Sequence, residues 1–201
     1  MKILCLGDSL TYGFRLSSRE TWAGILERTL GHTWINHAVC GNTTGGMLAS
    51  FREELHHIRP DIVILQGGEN DLIYGNDLRG AKANLGAMVH LAMAEYCFPV
   101  LGTPVPLCQP LQSNWERLLS SGETASQLCE LRSWMLKASD VFSCGCVDFY
   151  GSIEQAVEQG QQLSELYLSD GLHPNQKGHA KMAEAAELVF QGLMKTIHDR
   201  V

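Results

Sequence analysis

The chain has 201 residues, 45% of them hydrophobic, enough for one domain with a substantial core. A formal net charge of -7, with no long run of Lys or Arg, argues against a nucleic-acid or anionic-membrane partner. No apolar run is long enough to span a bilayer, so no stable membrane insertion is expected. Met1-Lys2 runs straight into an apolar stretch without the h-region and cleavage site of a secretory signal. The seven cysteines are odd in number and contain no C-x-x-C. Several lie inside apolar runs, so they are read as reduced structural thiols and the expected compartment is the cytoplasm. Cys144 and Cys146 are expected on opposite faces of a strand, a poor start for a metal clamp.

In chain order, strand one covers residues 2–6 and residues 9–19 are loop. Ser17-x-x-Glu20 is a capping box opening a helix over Trp22, Ile25, Leu26 and Leu30, which Gly31 ends in the left-handed conformation. Strand two runs from Thr33 to Val39, followed by the glycine-rich turn Cys40-Gly41-Asn42-Thr43-Thr44-Gly45-Gly46. A helix over Met47, Phe51, Leu55 and Ile58 stops at Pro60. The β-branched run Asp61 to Gln66 fits a central strand buried on both faces, and Gly67-Gly68-Glu69-Asn70-Asp71 closes it. A long helix follows from Asp77 to Tyr96, then strand four, Phe98 to Leu101. Residues 104–123 are a functional loop or carry a short helix. Then come a helix from Thr124 to Ala138, strand five at 144–149 and a short helix at 152–159. A loop with Ser169-Asp170-Gly171-Leu172-His173-Pro174-Asn175 leads to a last helix from Gln176 to Ile197. Strands alternating with helices imply a parallel sheet covered on both faces.

Ser9 falls just past the carboxyl end of strand one, where open α/β sheets place ligands. Alone it could equally be a cap or a turn former. Serine chemistry needs a base, a group orienting that base, and donors aimed at the developing oxyanion. Among eight histidines, His173 is the best base, because it lies in a Gly- and Pro-containing loop just before a helix. Asp170, three residues earlier across Gly171, can reach its Nδ1; Asp148 is the rival carboxylate and is read as structural. Gly41 can present a backbone N–H, and the Asn70 amide, at the end of the turn after strand three, is a neutral donor. If the sheet order is 2-1-3-4-5, the loops holding Ser9, Gly41 and Asn70 share one rim at the switch point.

Four blocks in order, Gly7-Asp8-Ser9-Leu10, Ala38 to Thr43 around Gly41, Gly68-Glu69-Asn70-Asp71 and Asp170 to Asn175, resemble those of the SGNH hydrolases, also called GDSL lipases or esterases. The resemblance covers most of the chain and implies a single hydrolase domain over residues 1–201. It implies a flavodoxin-like three-layer α/β/α sandwich around a five-stranded parallel sheet. It also implies Ser9 as nucleophile, His173 as base, Asp170 as its orienting acid, and Gly41 and Asn70 as oxyanion donors beside the Ser9 amide. No metal or organic cofactor is implied. Glu69, at a variable position of its block, is expected to tune the electrostatics of the rim. The implied partner is a small acyl ester, with thioesters, lysophospholipids and acetylated sugars left open. Leu107, Leu111 and Trp115 of residues 104–123 either line the acyl pocket or pack as core. The rival reading is a non-catalytic flavin- or nucleotide-binding module at the same switch point. Its phosphate-cradling glycine patterns are not matched by Gly7-Asp8-Ser9.

Overall fold

The computed structural model describes residues 1–119 and 121–198. Its sheet has five parallel strands: β1 (Lys2–Gly7), β2 (Thr33–Asn36), β3 (Ile62–Gln66), β4 (Phe98–Gly102) and β5 (Gly145–Val147). They stand in the order β2-β1-β3-β4-β5, as expected. In the register Leu4 lies beside Val63 and Gly7 beside Gln66, so β1 and β3 end level with one another. The helices are α1 (Ser9–Tyr12), α2 (Trp22–Leu30), α3 (Thr44–Ile58), α4 (Glu69–Gly75), α5 (Leu78–Ala94), α6 (Ser113–Leu118), α7 (Ser121–Phe142), α8 (Phe149–Glu158) and α9 (Gln176–His198).

The period of two along each strand sorts the apolar residues into two cores. Ile3, Cys5, Ile62, Ile64, Val100 and Val147 face α2, α8 and α9, where Trp22, Phe149 and Phe190 are fully buried. Leu4, Leu6, Val63, Leu65 and Leu101 face α3, α5 and α7, against Phe51, Met88 and Leu131. A chain of ring contacts crosses the first core, Trp22 to Phe149 at 5.2 Å and Trp34 to Phe190 at 5.0 Å. Each such pair adds roughly 0.5–1.5 kcal/mol beyond the area it buries.

Some sequence expectations change. Cys144 and Cys146 both pack on the second core rather than on opposite faces, because residues two apart along extended chain point the same way. Burial pushes the Cys97 and Cys146 thiols up to about 12, so they stay protonated as small hydrophobes. Strand two ends at Asn36, whose amide turns back to donate to the Thr11 carbonyl at 2.8 Å. The capping box at Ser17 and Glu20 opens a single 3-10 turn, and Thr21 then caps α2 separately. Residues 104–123 hold α6 and the start of α7, which begins at Ser121 rather than Thr124 and runs to Phe142. Ser120, within that stretch, lies outside the described residues.

Candidate active site

The site forms at the carboxyl ends of β1 and β3. Residues 9–19 are not all loop: the chain turns directly into α1 at Ser9. Asp8 makes that turn possible, since its Oδ1 accepts the Leu10 N–H at 2.9 Å and caps the helix. Ser9 is thus placed on the first helical turn, where backbone N–H groups have no intrahelical acceptor and point outward. Gly7 permits the sharp approach. A Cβ there would stand 2.6 Å from the Gln66 carbonyl and 2.6 Å from Thr11 Oγ1.

His173 arrives from the segment before α9. Asp170 folds that segment around itself: Oδ1 accepts the Leu172 and His173 N–H groups, each at 3.0 Å, and Oδ2 lies 2.8 Å from His173 Nδ1. Gly171, at φ 73°, closes the turn; a Cβ there would meet the Cys108 carbonyl oxygen at 2.3 Å. His173 Nε2 then lies 3.0 Å from Ser9 Oγ. Burial pushes the Asp170 carboxyl up, but the hydrogen bonds from His173 and Leu172 outweigh it and hold the group below the usual carboxylate range. Phe14 stacks on the imidazole, ring centres 4.4 Å apart, and Trp115 approaches it edge-on at 6.4 Å.

The remaining predicted residues converge on the same rim. Gly41 adopts φ 79° in the turn after β2 and is solvent-exposed. Asn70 sits on the first turn of α4 rather than in the turn before it. Its Nδ2 donates to the Asn42 carbonyl at 2.9 Å and reaches Asp8 Oδ2 at 3.4 Å, the second a long and weak contact. Asp71 anchors the rim by accepting the Thr44 N–H at 2.9 Å and the Thr44 hydroxyl at 2.5 Å. The contrast is Glu69, which is buried beside Asp8 and lines the pocket at Ser9 rather than standing on the rim. Asp148 caps α8 and takes a two-pronged contact from Arg132, away from Ser9.

Three further side chains at the site were not singled out by sequence reasoning: Asp8, Phe14 and Val105. Asp8 carried a legible signal, because an Asp before a short polar run is a helix cap. Phe14 and Val105 carried none, since only packing shows what an isolated apolar residue touches. Leu107, Val105, Ile73 and Leu172 wall a pocket over Ser9 whose void is about 10 Å³, the room one water needs. Leu111 packs as core with Leu119, and Trp115 lies against that cluster while also facing His173. Burial and then the Asp8 charge raise the thiol of Cys40, beside Gly41, which disfavours its thiolate. Among the described residues no His, Cys, Asp and Glu group is arranged to hold a metal, and no helix is long and apolar enough to cross a membrane.

The chain is similar to several known proteins. An arylesterase of Vibrio mimicus is 35% identical over 95 residues, which are 45% of this chain and 48% of that protein. The esterase TesA of Pseudomonas aeruginosa is 29% identical over 98 residues, 46% of this chain and 49% of that protein. The chain thus spans about half the length of these curated relatives. The crystal structure of a G-D-S-L lipolytic protein from Veillonella parvula superposes with a TM-score of 0.81 at 21% identity, covering 95% of this chain and 98% of that one, a likeness of fold. Residues 5–181 match the GDSL-like lipase/acylhydrolase family, and the chain belongs to it.

Proposed function

We propose that the chain is a carboxylic ester hydrolase working through an acyl-enzyme on Ser9. The observation that carries the proposal is the continuous line from Asp170 through His173 to Ser9 Oγ, with contacts of 2.8 and 3.0 Å. Ser9 Oγ attacks the ester carbonyl carbon while its proton passes to His173 Nε2. Asp170, already an anion, fixes the imidazole with its proton on Nδ1 and stabilises the imidazolium that forms. The tetrahedral oxyanion is met by the Ser9 N–H, the Gly41 N–H and the Asn70 amide. One Asn70 N–H is committed to Asn42, while the other makes only the long contact to Asp8 and can turn to the substrate. His173 then gives its proton to the leaving alkoxide oxygen as the carbon–oxygen bond breaks. Water repeats the sequence on the acyl-enzyme, releasing the acid and restoring Ser9.

The small pocket walled by Leu107 and Val105 supports short acyl groups. Turnover of p-nitrophenyl esters is expected to be highest for acetate and to fall through butyrate to octanoate, with Leu107→Ala moving the preference toward longer chains. A flat profile across chain length in both proteins would remove the pocket from the account. The same panel, extended to thioesters and acetylated sugars, fixes the leaving-group class. Ser9→Ala is expected to lose activity by roughly three orders of magnitude or more, together with labelling by a fluorophosphonate. Undiminished turnover in that variant would sink the assignment.

A further inference from the structure

Glu69 opens α4 in the pocket beside the proposed nucleophile and is 6% exposed, with both side-chain oxygens buried and lacking a well-formed hydrogen bond from the protein. An ionised carboxylate in such a place is strongly disfavoured. The Val105 N–H offers it only partial compensation. Asp8, wholly buried, faces it within hydrogen-bonding reach. The two acids are provided for unequally. Asp8 has the Leu10 N–H at 2.9 Å and the Asn70 amide at 3.4 Å, both suited to an anion. Two carboxyls in contact cannot both ionise, and the shared proton settles on the one with fewer donors. That one is Glu69, whose carboxyl is held well above the usual range by burial and then by the Asp8 charge.

The surroundings do not reverse this. Asp71, on the same turn of α4, adds negative charge but faces Thr44. Tyr167, from the segment before His173, is within electrostatic reach of Glu69 and donates its hydroxyl to the Pro106 carbonyl. Burial raises the thiols of Cys108 and Cys40, and the Asp170–His173 pair lies across Ser9.

We propose that Glu69 is a positioning residue that works as a neutral acid, donating its proton to the Asp8 carboxylate. So held, Asp8 keeps its cap on α1 without depending on the second Asn70 N–H, and its long contact with that group can yield to the substrate oxygen. Glu69 touches no reacting atom and acts through Asp8 and Asn70. The inference rests on Ser9 being the nucleophile.

The test compares the wild type with Glu69→Gln, which keeps a donor, and Glu69→Met, which keeps volume without one. Three readouts are taken: p-nitrophenyl acetate kinetics, fluorophosphonate labelling of Ser9, and the infrared carbonyl stretch of protonated carboxyls at neutral pH. Glu69→Gln should keep kcat within about threefold, whereas Glu69→Met should lose roughly ten- to a hundredfold in kcat and labelling rate, with KM little changed. Wild-type kcat should decline at alkaline pH as the proton leaves, and Glu69→Gln should not follow it. The wild type should show a protonated-carboxyl band that both variants lack. Absence of that band overturns the proposal, as does Glu69→Met with wild-type kcat or Glu69→Gln as impaired as Glu69→Met. If Glu69→Met fails to fold by circular dichroism, the band and the Glu69→Gln pH profile decide alone. Failure of the underlying reading looks different: Ser9→Ala would stay active while the band persisted.

Discussion

Asp170 shows how much one side chain does at this site. Its Oδ1 builds the turn by accepting two backbone N–H groups, and its Oδ2 orients His173. These two tasks separate in Asp170→Asn. The amide oxygen can keep the turn, which places the NH₂ against His173 Nδ1. That contact forces the ring proton onto Nε2, where it points at Ser9 and blocks proton uptake. Asp170→Asn should therefore fold normally while kcat drops by roughly 10³- to 10⁴-fold. A urea melt beside a kinetic assay checks both halves, and a variant with near-wild-type kcat would show that the tautomer is set elsewhere. Glu69 is the converse case at the same scale: a carboxyl whose task requires that it stay protonated.

At the scale of elements, caps decide where the site residues stand. Asp8 starts α1, Thr43 starts α3 and Asp148 starts α8, each through a side-chain oxygen on a backbone N–H. Helices α1 and α4 escaped sequence reasoning because four and seven residues are too few to show a 3.6-residue period. The long helices were legible to within a turn for the opposite reason. A different tie joins α2 to α9. The Trp22 N–H donates to Nδ1 of His179, which is 1% exposed. Burial, helped by the charge of His173, lowers the His179 pKa from 6.5 to about 4. The folded state therefore resists a proton that the unfolded chain accepts. The stability this group contributes is present above about pH 6.5 and lost as pH falls toward about 4, a total of roughly 3 kcal/mol. His179→Asn, which offers an acceptor where Nδ1 stood, should flatten the decline across that window in urea unfolding measured at several pH values. Identical slopes in the two proteins would show that other groups set the acid limit.

At the scale of the whole molecule, five residues from four separated stretches, two on helix starts and three in loops, meet at one end of one sheet. The sequence by itself determined the strand–helix alternation and the periodicity that makes two cores. It also determined the four motif blocks, because all of these are local patterns of residue type. Their meeting was legible only conditionally, through the strand order that parallel crossovers favour. The tertiary structure decided what local pattern cannot carry. It buried Glu69 in the pocket beside Ser9 rather than on the rim, made Phe14 and Trp115 the walls around His173, and shrank the pocket to the size of one water. The physical reason is that a side chain's solvation and partners come from residues distant in the chain. A carboxylate and a carboxylic acid are written with the same letter, and only the donors brought to Asp8 and withheld from Glu69 tell them apart.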